Sequence, residues 1–130
     1  MTTNVCQIDK TCEIASRRYF EAFNTNSFET AAALFASDGQ LQPPFDSPIV
    51  GPAAIAQYLK QEASQMTAYP DAFHEYSAES RTLQVTGQVD AMSFKVGVEW
   101  RFSFTSTADI KSLSVRLRAS MKELLAIRPN

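Results

Sequence analysis

Six apolar residues, Phe94, Val96, Val98, Trp100, Phe102 and Phe104, fall at every second position and alternate with Lys95, Gly97, Glu99, Arg101 and Ser103. Successive side chains of a strand point to opposite faces, so this stretch predicts one long strand with an apolar face and a polar face. The same period of two recurs on either side of it. Leu83, Val85, Gly87 and Val89 alternate with Gln84, Thr86, Gln88 and Asp90, while Leu113, Val115, Leu117 and Ala119 oppose Ser114, Arg116 and Arg118. A weaker strand is expected over 73–78, and tight turns near 91–93 and 105–109 join the strands as hairpins.

Before residue 72 the period is helical. Cys12, Ala15, Tyr19, Ala22 and Phe23 share one stripe of a helix that Asp9 or Thr11 caps and that runs to Phe23. Asn24-Thr25-Asn26 breaks it. Ser27 is then suited to cap a second helix through Phe35, buried along Phe28, Ala31, Ala32 and Phe35. Ser37-Asp38-Gly39 ends that helix, residues 40–42 read as a short strand, and Pro43, Pro44 and Pro48 hold a rigid loop. Pro52 opens a third helix to about Met66, with Ile55, Tyr58, Leu59 and Glu62 at helical spacing, and Tyr69-Pro70 stops it. A short C-terminal helix is expected over 121–127. The expected organisation is a flexible tail over 1–10 and a single domain over 11–130. Helices followed by hairpin-connected strands imply an α+β fold, a curved antiparallel sheet with the helices packed on one face. Such a sheet, closed over by helices, makes a cone with a cavity.

Composition narrows the partners more than the fold. A chain of 130 residues, 45% hydrophobic and 20% charged, is one ordinary globular domain. Its formal net charge of −2 gives no electrostatic reason to expect nucleic acid or an anionic membrane surface. The pairs Arg17-Arg18 and Arg116/Arg118 read as solvated faces. No run approaches the roughly 20 apolar residues that span a bilayer, and residues 1–10 are too polar for a signal peptide. A cytoplasmic placement follows, with Cys6 and Cys12 as reduced thiols whose spacing matches no zinc motif.

Candidate chemistry is sparse. His74 is the sole histidine, which argues for a strand-surface role and against a metal site or a nucleophile–histidine pair; no Gly-x-Ser-x-Gly elbow is present. Four carboxylates are candidates for acid/base work: Asp38, Asp46, Glu62 and Glu99. Asp38 and Asp46 have turn-forming roles open to them, Glu99 points opposite Trp100, and Glu62 shares a helix with apolar neighbours. Tyr19 and Trp100 are the remaining pair. Each has an apolar body and a donor at its tip, and a buried tip needs a partner. If the first helix crosses the mouth of the sheet, phenol and indole N–H converge on one point and hold a carbonyl oxygen at the end of an apolar ligand. Plain core packing is the other reading of both residues, and spacing by itself favours it.

The run Ala33-Leu34-Phe35-Ala36-Ser37-Asp38-Gly39-Gln40-Leu41-Gln42-Pro43-Pro44-Phe45-Asp46-Ser47-Pro48-Ile49-Val50-Gly51 resembles the C-terminal domain of orange carotenoid proteins and its stand-alone cyanobacterial homologues. Val85-Thr86-Gly87-Gln88-Val89, Trp100-Arg101-Phe102 and Ala119-Ser120-x-Lys122-Glu123-Leu124-Leu125 recur in the same order, so the resemblance extends from Tyr19 to the C-terminus. It implies the nuclear transport factor 2-like cone fold. It also implies a ketocarotenoid, such as echinenone or canthaxanthin, whose ring carbonyl accepts hydrogen bonds from Tyr19 and Trp100. Val50, Met66, Val89, Val96 and Val98 would line the cavity. Glu62 matches a glutamate that pairs, in two-domain members, with an arginine of the other domain.

By the same resemblance the chain is a non-enzymatic carotenoid carrier linked to photoprotection. It would form a homodimer, pass its ligand to helical carotenoid-binding proteins, and touch membranes only for ligand uptake. The hairpin at 91–93 is shorter than the family's and lacks its Trp-Phe pair, Met121 stands at a usual proline, and Arg116 and Arg118 replace apolar or acidic residues. Two other readings stay open: a ketosteroid-isomerase or dehydratase-like enzyme with Glu62 or Asp38 as base and Tyr19 polarising a carbonyl, and a ligand-free dimeric scaffold.

Overall fold

The computed structural model of the chain describes residues 2–77, 79–92 and 94–118. Three helices, α1 (Thr2–Asn24), α2 (Phe28–Ala33) and α3 (Pro52–Glu62), accompany six strands: β1 (Phe35–Gln42), β2 (Ile49–Val50), β3 (Met66–Ser77), β4 (Thr82–Ala91), β5 (Phe94–Phe104) and β6 (Ile110–Arg118). The strands form one open sheet in the order β2-β1-β6-β5-β4-β3. This is the α+β, nuclear transport factor 2-like architecture, with helices laid over one face of a curved sheet. The C-terminal helix expected over 121–127 lies outside the described residues.

The sheet is mixed, not antiparallel throughout. β3, β4, β5 and β6 pair antiparallel through their hairpins, but β1 pairs with β6 in parallel, Leu41 opposite Leu113. The second helix stops at Ala33 instead of Phe35, and Ser27 makes no side-chain cap, its hydroxyl meeting that of Thr25 at 3.0 Å. With the helix that short, Phe35 opens a strand of eight residues beside the last strand. Ser37, Asp38 and Gly39, which look like a helix stop, occupy the stretch where that parallel ladder shifts register.

β3 corrects a second expectation. Tyr69-Pro70 does not stop a helix; it lies inside a strand of 12 residues. Proline has no N–H for a ladder and is tolerated at an edge, and β3 is an edge strand whose ladder shifts between Pro70 and Ala72. Gly87 sits opposite Pro70, where a Cβ would come within 2.2 Å of the Tyr69 carbonyl oxygen. α3 ends at Glu62, four residues short of Met66, so Met66 belongs to the sheet. Its start follows the expectation: Pro52 stands in the first turn, after Gly51 at φ 92, a backbone angle that glycine adopts without strain. α1 is longer than expected, beginning at Thr2 rather than at Asp9 or Thr11.

β5 has the predicted bounds and the predicted face. Val98, Trp100, Phe102 and Phe104 are buried, and Phe20 of α1 meets Trp100 edge-on with ring centroids 4.8 Å apart. Phe20 also packs edge-to-face on Phe102, as does Tyr19, at 5.8 and 5.9 Å, geometry that adds to the area these rings bury. The start of the same face outruns the helical cover: Phe94 is 71% exposed and Val96 36%. On the far side of the sheet the groups are polar and paired. His74 Nε2 meets Thr86 Oγ1 at 2.7 Å, and Arg101 donates to Glu99 at 3.1 Å.

Candidate functional site

An apolar cavity of about 290 Å³ opens between the helices and the sheet. α1 contributes Tyr19 and Phe23, and α3 contributes Tyr58, Leu59, Glu62 and Ala63. The wall is completed by Leu41 of β1, Met66 of β3, Val89 of β4, Val96, Val98 and Trp100 of β5, and Val115 and Leu117 of β6. The proline loop closes the remaining side with Pro43, Pro44, Phe45 and Asp46. Tyr19, Val98, Trp100, Leu41 and Leu59 are buried and form the floor, whereas Phe45, Asp46, Glu62 and Leu117 are exposed and form the mouth.

Tyr19 and Trp100, singled out from the sequence, therefore line one cavity. Their tips are the unusual feature. Among the described residues neither Tyr19 Oη nor Trp100 Nε1 has a hydrogen-bond partner. Both residues are otherwise almost wholly buried, at 2% and 3% exposure. A donor in that position either stays unmatched at a cost or meets an acceptor brought in from outside. Burial pushes the Tyr19 phenol above its ordinary range, so it remains a protonated donor through neutral and mildly alkaline pH.

Met66, Val89, Val96 and Val98 line the cavity as well, Met66 from a strand instead of the expected helix. Val50 does not. It is 55% exposed on the two-residue edge strand β2, pointing away while Ile49 packs against the core. Of the four carboxylates, Asp38 is exposed and off the cavity and Glu99 lies on the outer face of the sheet with Arg101, but Asp46 and Glu62 both sit at the mouth.

The sequence reading missed the role of Asp46 by assigning it to a turn. Tyr58 Oη donates to Asp46 Oδ2 at 2.8 Å and ties the proline loop to α3. Burial raises the Tyr58 phenol first, and the bond to Asp46 and the charges of Asp46 and Glu62 raise it further. The available signal was the spacing Tyr58-Leu59-x-x-Glu62, which puts a phenol and a carboxylate one helical turn apart on the face that meets the loop.

A wider depression between α2 and α3, lined by Ala32, Ala33, Ala53 and Ala56, presents no unmatched donor of this kind; Lys60 and Glu29 on it pair with each other at 2.7 Å. No three His, Cys, Asp or Glu among the described residues are grouped to hold a metal. No helix among them is long and apolar enough to cross a membrane.

Residues 16–120 match the model of the SnoaL-like domain. The chain is 36% identical over 113 residues to the orange carotenoid-binding protein of Synechocystis sp., an alignment that covers 82% of this chain and 36% of that protein. Among solved structures it resembles the orange carotenoid protein of Anabaena (Nostoc) sp. PCC 7120 binding canthaxanthin, with a TM-score of 0.73 and 32% identity over 87% of this chain and 38% of that one. It thus spans little more than a third of the carotenoid proteins it matches. The fold alone is shared with an epoxide hydrolase/cyclase-like enzyme of pyran ring formation, at a TM-score of 0.74 and 15% identity over 88% of this chain and 95% of that one. The chain belongs to the SnoaL-like domain family, with a nuclear transport factor 2-like fold, and is similar within it to part of the orange carotenoid proteins.

Proposed function

We infer that the chain is a non-enzymatic carrier of a ketocarotenoid, such as echinenone or canthaxanthin. Apolar burial gives most of the binding, while Tyr19 Oη and Trp100 Nε1 donate to the carbonyl of the terminal ring. The observation that carries this reading is a pair of donors, without hydrogen-bond partners among the described residues, on the floor of a mostly apolar cavity. The names of the two similar carotenoid proteins support it. Burying apolar area contributes about 25 cal/mol per Å², so a long polyene needs few polar contacts.

At about 290 Å³ the cavity is at the small end of ligand pockets, which run to roughly 1,000 Å³, and it suits one end of a long chain molecule. The other end then extends through the mouth, past Phe45, Val96 and Leu117, into a second protein. In this reading that protein is another copy of the chain in a homodimer, or a helical carotenoid-binding protein that receives the ligand, in the cytoplasm of a photosynthetic cell.

Purification from a host that makes ketocarotenoids tests the reading. A coloured protein with a red-shifted visible spectrum is expected, and Trp100→Ala combined with Tyr19→Phe removes much of the shift. A colourless product from a host rich in canthaxanthin or echinenone overturns it. The competing isomerase or dehydratase reading draws on Glu62 and Tyr19 lining the same cavity. It requires Glu62 beside a substrate that also reaches the floor donors, whereas Glu62 is exposed at the mouth.

A further inference from the structure

We propose that the cavity selects its ligand by charge: it accepts lipophiles ending in a neutral hydrogen-bond acceptor and disfavours lipophilic carboxylates such as fatty acids. The inference rests on the carrier reading above and adds the class of ligand that the carrier rejects.

Three observations carry it. First, among the described residues the lining holds no Lys, Arg or His; its charged side chains there are Asp46 and Glu62, both acidic and both at the mouth. Among the described residues neither carboxylate takes part in an ion pair. Their charge is therefore felt by whatever enters. Second, the Tyr58 hydroxyl is already given to Asp46 at 2.8 Å, so the mouth offers no spare phenol donor there to offset that charge. Both carboxylates raise the Tyr58 phenol, which places the three groups within electrostatic reach of one another.

Third, the floor donors Tyr19 and Trp100 are neutral, without hydrogen-bond partners among the described residues, and belong to side chains more than nine-tenths buried. Two neutral hydrogen bonds satisfy a ketone oxygen. They do not replace the water lost by a carboxylate, which meets no countercharge among the described lining residues. A fatty acid entering tail-first fares no better, because its carboxylate then comes to rest beside Asp46 and Glu62. Two like charges at the distance of a cavity rim, screened as at a protein surface, amount to about a tenfold loss in affinity at low salt. Fatty acids have the same apolar tails as any lipid ligand, so apolar burial alone cannot exclude them.

The test uses two probes with the same pentadecyl tail, 2-heptadecanone and palmitate. Each competes with Nile red for the purified protein at pH 8, palmitate below its critical micelle concentration and the ketone below its solubility limit, and the readout is the ratio of their inhibition constants. The expected ratio favours the ketone by about tenfold or more at 20 mM NaCl, narrows at 500 mM NaCl, and is smaller in the Asp46→Asn/Glu62→Gln variant than in the unaltered protein at 20 mM NaCl. Palmitate that matches or exceeds the ketone in the unaltered protein overturns charge selection and leaves the carrier reading standing. A ratio that ignores both salt and the double substitution also overturns it. Failure of both probes to displace bound Nile red overturns the carrier reading, and charge selection with it.

Discussion

The side chain of Asn24 pairs with both backbone groups of Ala68: Nδ2 donates to the Ala68 carbonyl at 2.8 Å, and Oδ1 accepts the Ala68 N–H at 2.7 Å. The last residue of α1 thus does for the edge of β3 what a neighbouring strand would do. It also fixes the height at which α1 lies on the sheet, and with it the placement of Tyr19 and Phe20 over Trp100 and Phe102.

Replacing Asn24 with Ala leaves two buried backbone groups of β3 unpaired. A loss of about 2 kcal/mol in stability is expected, read from the urea midpoint at constant slope. Asn24→Asp keeps the acceptor and loses the donor, and should fall between the two. A loss in the Ala variant below about 0.5 kcal/mol would mean that water replaces the pair at no cost.

Gly87→Ala should be the most damaging single-methyl change in the sheet. Its Cβ would lie 2.2 Å from the Tyr69 carbonyl oxygen and 2.9 Å from Pro70 Cα, both backbone atoms of the edge strand. Overpacking of this kind costs about 3 kcal/mol, or roughly 10 °C in melting temperature for a domain of this size. Gly51→Ala is the informative control. There a Cβ meets nothing closer than Ser37 O at 3.7 Å, but the backbone is at φ 92, so the strain is conformational and amounts to about 1–2 kcal/mol. Calorimetry on both variants separates the two mechanisms by their order.

Tyr19→Phe separates a structural tyrosine from a ligand-binding one. Its hydroxyl has no partner among the described residues, so removing it should leave folding stability within about 0.5 kcal/mol of the unaltered protein. Affinity for a ketone-ended ligand should fall about tenfold, the worth of one hydrogen bond in a dry site. A variant that unfolds readily while binding the ligand as before would assign Tyr19 to the core instead.

Alkaline pH should expose the same residue. The Tyr19 phenol titrates higher in the folded chain than its ordinary 10.0, because burial opposes the phenolate. Above pH 10 the unfolded chain releases this proton and the folded chain keeps it. The stability is therefore complete below pH 10 and is lost as pH rises, by up to about 1.4 kcal/mol for each pH unit until the folded group also titrates. Tyr19→Phe should flatten that slope; an unchanged slope between pH 10 and 11 would contradict the burial argument.

Periodicity made the hairpin half of the fold legible and left the rest obscure for definable reasons. β5 alternates without a break, and its bounds were readable to the residue. β3 was not, because Tyr69-Pro70 reads as a terminator unless the strand is known to be an edge. β1 was hidden by Ser37-Asp38-Gly39, turn residues that here occupy an irregular stretch of a parallel ladder, and parallel pairing itself leaves no local signature. At the site, Tyr19 and Trp100 were visible because donors are rare on apolar stripes. The Tyr58–Asp46 contact joins a helix to a loop 12 residues away, and neither position looked unusual alone.

The parallel pair has a further consequence, for the order in which the protein becomes competent. Leu41 and Leu113 face each other in the sheet but stand roughly seventy residues apart along the chain. Their union closes a long loop, the kind of contact that slows folding because its entropy must be lost before it is rewarded. Leu41, Val115 and Leu117 are also cavity wall. On the ribosome, then, the helices and the first hairpin can form while the receptor for any ligand does not yet exist. Of the described strands, β6 is the last in the chain, and it completes that wall.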